Sequence, residues 1–237
     1  MLDAFSLVIP AYNEAARIGE TITTVLNYLR DHSPQGEVIV VDDGSNDSTG
    51  EVVREYFSHA DGIETQLLQR SPNEGKGAAV RTGLLAATRP VALFSDADLS
   101  TPIDEAEKLL RPIFDGELDV AFGSRALNRK LIGHRQAWYR EEGGRVFNLI
   151  MRLTTGLPYW DTQCGFKAFR MAAFRPILAQ TEINGFGFDV EFIYLAHNAG
   201  LRIREIPVRW DHNDGSKVDY MRDSWRMLKE VAELRAR

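Results

Sequence analysis

The chain has 237 residues, 44% apolar and 26% charged, which is the balance of an ordinary globular protein long enough for one α/β domain with a sizeable core. Its formal charge of −6 argues against general nucleic-acid binding, and its single cysteine, Cys164, excludes an internal disulfide and fits a reducing compartment. No run approaches the ~18 apolar residues of a membrane span, and the N-terminus shows no basic-then-apolar signal, so a cytoplasmic protein, peripheral at most on the cytoplasmic membrane face, is expected.

In chain order, SLVIP (6–10) reads as a buried strand. Ile18, Ile22, Val25, Leu26 and Leu29 follow at helical spacing. EVIVV (37–41) is a second strand, and Val52, Val53, Tyr56 and Phe57 mark a helix face. TQLLQ (65–69) is a third strand, and Lys76 to Ala87 a helix with Val80, Leu84 and Ala87 on one stripe. VALF (91–94), a helix through Ile103, Ala106, Leu109, Leu110 and Ile113, and a strand at DVAFG (119–123) complete the series. Continuous apolar strands alternating with amphipathic helices predict a mostly parallel sheet covered on both faces. In such sheets ligands bind at the carboxyl ends of the strands.

After Ser124 the rhythm breaks. Residues 124–152 carry seven Arg or Lys against two Glu, a basic island in an acidic chain that calls for a local anionic partner. A solvated loop would carry the same letters. Val146 to Leu153 is an apolar helix candidate, suited equally to a membrane interface or to a core. A helix around Asp189–Asn198, a strand in IREIPVRW and an amphipathic C-terminal helix, Met221 to Leu234, follow. That last helix suits a membrane surface, the domain itself or a second copy. No linker or repeat divides the chain, so one domain over 1–237 is expected, with a regular half at 1–124 and a more specialised part at 125–237.

Three polar stations follow three strands: PAYNE (10–14), DDGSNDST (42–49) and DADLS (96–100). All three should lie along one sheet edge, where a single ligand can touch them. Asp42 or Asp43 suits a base or ribose; Gly44 with Ser45 or Asp47 would equally make a capped loop. Asp96 and Asp98 are two like charges directly behind a buried strand. Hard cations such as Mg²⁺ or Mn²⁺ take oxygen ligands and bind through one or two carboxylates plus substrate phosphates. A helix cap at Thr101–Pro102 is the plainer alternative. NEGKGAA (73–79) opens a helix and so could lie near phosphates, but its spacing is not that of a P-loop. No HExxH or Cys/His zinc pattern occurs, and Ser45 has no evident His base.

VIPAYNE, VIVVDDGSNDST, NEGKGAAVRTG, FSDADLSTP, GSR and DTQCGFKAF, in this order, resemble inverting family 2 glycosyltransferases of the GT-A fold, a Rossmann-like α/β architecture. The likeness is strongest to the dolichyl- and polyprenyl-phosphate enzymes, the glucosyl ones first and mannose synthases second. It implies that Pro10, Tyr12, Glu14, Asp42, Asp43, Lys76, Asp96, Ala97 and Lys217 line the nucleotide-sugar donor, and that Asp96 and Asp98 hold the metal. It implies that Arg125 approaches the phosphates, that Arg140 meets the lipid phosphate and that Ser216 and Lys217 close over the site. Ser100 stands where mannose synthases often have Gln, a departure that speaks against direct metal ligation there.

The implied reaction is displacement at the anomeric carbon by a polyprenyl phosphate. A phosphate monoester has a second pKa of ~6 and needs no base; it needs positive charge, which arginine supplies as a fork. The competing reading is a sugar-hydroxyl acceptor, which needs a carboxylate base, with Asp161, Asp189 or Glu191 as candidates. A nucleotidyltransferase would open with a Gly-rich basic loop instead of PAYNE. A non-catalytic nucleotide-sugar-binding module would be expected to lack one acid of DAD. Cys164 reads as a small buried residue.

Overall fold

Four apolar runs are buried along their whole length: β1 (Phe5–Ala11), β2 (Glu37–Asp42), β4 (Val91–Ser95) and β5 (Val120–Ser124). β3 (Glu64–Gln69) alternates between exposed and half-buried residues, as an edge strand does. The structure, a computed structural model, describes residues 1–133, 148–211 and 220–235. With β6 (Phe166–Arg170) and β7 (Ile203–Pro207), these strands form one sheet in the order β3-β2-β1-β4-β6-β5-β7. All neighbours pair in parallel except β6, which runs antiparallel to both β4 and β5.

Helices cover both faces. α1 (Ile18–His32), α2 (Thr49–Phe57) and α4 (Ala106–Phe114) seal one core against Leu7, Val38 and Leu93. α3 (Lys76–Ala86), α6 (Met171–Leu178) and α7 (Phe188–Asn198) seal the other against Val8, Phe94 and Phe122. In that second core Phe169 stacks on Phe174 at 4.1 Å, and Phe192 meets Phe174 and Phe188 edge-on at 5.5 and 5.3 Å. Such pairs add ~1 kcal/mol each beyond the area they bury. Residues 148–155 are helical (α5), and Met151 joins Val190 of α7 with Met227 and Val231 of α8 (Tyr220–Arg235) in a small third cluster.

The expected strands and helices of the first half stand within a residue or two of where periodicity put them. β6 and α6 do not follow from it. β6 carries Lys167, wholly buried in the middle of the sheet, which breaks the apolar run that marks a central strand. α6 has only eight residues and contains Pro176, so its period is hidden. The winding reverses between β1 and β4, since β2 and β3 lie to one side of β1 and all later strands to the other. That switch point opens a crevice at the carboxyl edge, where PAYNE and DADLS both emerge. Antiparallel β6 brings its first residues, Gly165 and Phe166, to the same edge.

Candidate active site

The loops after β1 and β2 are stitched together. Asn13, at φ 54°, donates its N–H to Ser45 Oγ at 2.8 Å and accepts from the Asn46 N–H at 2.7 Å; the Glu14 N–H reaches Thr49 Oγ1 at 2.8 Å. Both acids of DDGS are buried and engaged in loop structure. Asp42 accepts from the Ser45 N–H at 3.0 Å and from Gln69 Nε2 at 3.1 Å. Asp43 accepts from the Gly75 and Glu74 N–H groups at 2.7 and 3.2 Å and pairs with Arg70. They fix the floor of the crevice, and any base or ribose meets only the lone pairs that remain. Pro10 is buried, Glu14 pairs with Arg17, and Tyr12 is 39% exposed.

The DAD turn is held from three sides. The Ala97 carbonyl accepts from Thr21 Oγ1 at 2.6 Å, and the Asp96 N–H donates to the Gly165 carbonyl at 3.1 Å. Asp98 Oδ1 accepts from the Ser100 N–H at 2.9 Å, across Leu99 at φ 45°. A leucine in the left-handed region is strained, a cost that persists where the surroundings over-determine it. Gly165 is a steric necessity: a Cβ there would lie 2.0 Å from Asp96 Oδ2. Asp96 is thereby clamped at the edge of β4 with 31% of its side chain exposed.

Lys76, the first residue of α3, sets its ammonium 2.6 Å from Asp96 Oδ1. Among the described residues that buried oxygen has no other partner. Burial raises the Asp96 pKa, the charges of Asp98 and Asp189 raise it further, and Lys76 opposes them. Desolvation at this turn thus outweighs what the Lys76 ammonium supplies to Asp96. At the N-terminus of α3, within NEGKGAA, two backbone N–H groups are already engaged. The Asn184 carbonyl takes the Gly77 N–H at 2.8 Å and the Ala78 N–H at 3.3 Å. Gly75, at φ 110°, lets this loop close, since a Cβ there would lie 2.5 Å from the Asn184 oxygen.

Across the crevice Arg125 is gripped by the buried Asp161, with Nε and Nη2 on its two oxygens at 2.8 Å each and the backbone N–H at 2.9 Å. Glu205 of β7 orders this pair, accepting from the Asp161 and Trp160 N–H groups at 2.9 and 2.8 Å and from Ser124 Oγ at 2.6 Å. Burial alone would raise the Asp161 carboxyl, but the charge and hydrogen bonds of Arg125 outweigh it and hold it below the usual carboxylate range. Asp189 pairs with buried Lys167, which also donates to the Cys164 carbonyl at 2.5 Å. Glu191 accepts from the Glu182 and Ile183 N–H groups at 3.0 and 2.9 Å. Burial pushes the Cys164 thiol up to about 12, which makes it inert. Arg140, Ser216 and Lys217 lie outside the described residues.

Sequence reasoning passed over Lys167, Glu205 and Asn184. A lysine inside FKAF and an acid inside IREIP were the available signals, because a charge in a buried strand needs a partner. Asp96 and Asp98 fit a divalent cation. They offer hard oxygens, and one of those oxygens is buried with only an ammonium beside it. No third His, Cys, Asp or Glu completes a cage among the described residues, so substrate phosphates would supply the remaining ligands.

The model of Glycosyl transferase family 2 matches residues 6–178. A dolichyl-phosphate beta-glucosyltransferase of Dictyostelium discoideum is 32% identical over 98% of this chain and 74% of its own length. That of Saccharomyces cerevisiae is 34% identical over 97% and 73%. The crystal structure of glucosyl-3-phosphoglycerate synthase from Mycobacterium tuberculosis with Mn²⁺, UDP-glucose and phosphoglyceric acid superposes with a TM-score of 0.68 at 19% identity, covering 98% of this chain and 79% of that one. The last comparison confirms the GT-A fold alone, whereas the first three establish descent: this chain is a glycosyltransferase of family 2.

Proposed function

We propose that the chain transfers a hexose, glucose by analogy with its relatives, from a nucleotide sugar to a polyprenyl phosphate with inversion at the anomeric carbon. An acceptor phosphate oxygen forms the bond to that carbon as the bond to the diphosphate oxygen breaks. A phosphodiester and a nucleoside diphosphate result.

One observation carries the acceptor assignment. A hydroxyl acceptor needs a base, and each candidate is engaged: Asp161 by Arg125, Asp189 by Lys167, Glu191 by two backbone N–H groups. The depressed Asp161 makes a poor proton acceptor. A phosphate monoester, with its second pKa of ~6, arrives largely as a dianion and asks only for cations.

Asp96 and Asp98 would hold Mg²⁺ or Mn²⁺, which would neutralise charge building on the departing diphosphate. Lys76 adds positive charge on the donor side. Arg125, locked by Asp161, presents a guanidinium that cannot rotate, so it orients phosphate at little entropic cost. Tyr12 and Pro10 wall the nucleotide, on floors built by Asp42 and Asp43.

The lipid tail has a surface to meet. α5 exposes Leu149, Ile150 and Leu153 at 52, 38 and 72%, opposite buried Met151. Arg152, on the same arc, stacks 3.7 Å over the ring of exposed Trp160, the residue before Asp161. Apolar residues with Trp and Arg at their margin suit a membrane interface. Among the described residues no helix is long and apolar enough to cross a membrane.

The test is a radiolabel assay offering UDP-glucose and GDP-mannose separately with a short polyprenyl phosphate and Mn²⁺ or Mg²⁺. Label entering the organic phase from one donor, and lost in Asp98→Ala, is the expected result. Donor binding without transfer to any lipid phosphate would move the acceptor to a hydroxyl and reopen the search for a base.

A further inference from the structure

Lys76 lies where a lysine and a divalent cation want the same oxygen. Its ammonium is 2.6 Å from Asp96 Oδ1. Asp96 cannot withdraw, because Gly165 packs against its other oxygen and its N–H is fixed to the Gly165 carbonyl. The two lysines of the crevice differ in freedom. Lys167 is wholly buried and tied to Asp189 and the Cys164 carbonyl. Lys76 keeps 25% of its side chain exposed, and among the described residues its ion pair is with Asp96. Phe94 and Phe186 stand 5.7 and 6.0 Å from its Nζ, so aromatic faces line its path. Its backbone is pinned through Gly77 and Ala78 to Asn184, leaving the side chain as the part that moves.

A divalent ion on Asp96 and Asp98 would stand against this ammonium, and the two repel. A nucleoside diphosphate removes the conflict, because it brings anionic oxygens for both cations. We propose that Lys76 competes with the divalent cation for Asp96, and that the donor diphosphate decides the competition by drawing Lys76 onto itself. Metal loading is thereby tied to donor loading, and the acidic turn is kept from holding a cation by itself. The inference rests on the metal reading of Asp96 and Asp98 made above.

Free Mn²⁺ read by its electron paramagnetic resonance signal tests it without any turnover. In the wild-type protein, UDP should tighten Mn²⁺ binding well beyond the affinity of Mn²⁺ for UDP alone, by a coupling of order 10-fold or more. In Lys76→Met, Mn²⁺ should bind roughly 10-fold tighter without nucleotide, and the tightening by UDP should shrink by about the same factor. Lys229→Met, which removes an equal charge from an exposed position on α8, should leave both values unchanged. If Lys76→Met fails to fold, Lys76→Gln carries the same expectation. Equal or weaker nucleotide-free affinity in the Lys76 variant overturns the competition, as does an equal gain in Lys229→Met. Failure of the wild-type protein to bind Mn²⁺ even with UDP would overturn the metal reading itself.

Discussion

The two edges of the sheet hold acids in opposite conditions. At the amino edge, Asp119 accepts from Arg202 and Arg170, and Glu37 accepts from Ser6 Oγ at 2.5 Å and from the Thr88 N–H and hydroxyl at 2.6 and 2.9 Å. Partners outweigh desolvation at both, and their pKa values fall. At the carboxyl edge, burial raises the Asp96 pKa, Asp98 and Asp189 add to the rise, and the Lys76 ammonium only partly opposes it. The same residue type is thus a rivet at one end of the strands and, at the other, a carboxylate whose partner does not offset its desolvation. Perturbation by burial plus specific charges marks functional sites when it lies in a crevice and is left unbalanced.

The largest test of that contrast is Asp98→Ala. Transfer should fall by about 10²-fold or more, while the thermal midpoint falls only a little, because the lost contact to the Ser100 N–H is partly offset by removal of a like charge beside Asp96. Loss of fold together with activity would make the carboxyl edge structural too and erase the distinction.

Arg125 and Asp161 lie between the two types, at the functional edge but fully paired. Removing Arg125 alone leaves Asp161 buried and unpaired and should cost about 3–5 kcal/mol, whereas removing Asp161 strands an arginine that is one-third exposed and should cost less. Replacing both by alanine should cost less than the sum, a coupling read from denaturant titrations of the four proteins. Additive losses would mean that the bidentate contact does not hold the acceptor side.

At the amino edge, Asp119→Asn should destabilise by about 2 kcal/mol at pH 7. Arg202, through its hydrogen bonds, and then Arg170 depress the folded pKa. The stabilisation is therefore present above the unfolded value of ~3.9 and is lost as pH falls through the folded value. Wild-type and variant stabilities should converge in acid. A gap independent of pH would show that shape, rather than charge, is what Asp119 contributes.

What could be read from the chain itself follows the same division. β1, β2, β4 and β5 and the helices between them were legible because burial on both faces writes unbroken apolar runs, and DAD was legible because two acids cannot close a buried strand without compensation. The compensation was not legible. That Lys76 reaches Asp96, that Arg125 is held by Asp161 and that Asn184 caps α3 depend on residues 20, 36 and 107 positions away in the chain. Periodicity carries no information on such pairings. The antiparallel β6 was hidden because its buried lysine looks like a surface residue until Asp189 stands beside it.

The smallest effect on stability belongs to the surface beside the carboxyl edge. Leu149 and Leu153 lie one helical turn apart on α5 and are largely exposed, so Leu149→Ser/Leu153→Ser should change stability by less than about 0.5 kcal/mol. If these side chains instead enter a bilayer, losing two leucines removes roughly 3 kcal/mol of transfer free energy, ~100-fold in partitioning. Co-sedimentation with phosphatidylcholine–phosphatidylglycerol vesicles should fall accordingly, while transfer to a short, water-soluble prenyl phosphate persists. Undiminished vesicle binding would put membrane contact elsewhere on the chain. Loss of transfer to the soluble acceptor would show that α5 shapes the site rather than its access, through Arg152, Trp160 and the Asp161 that follows.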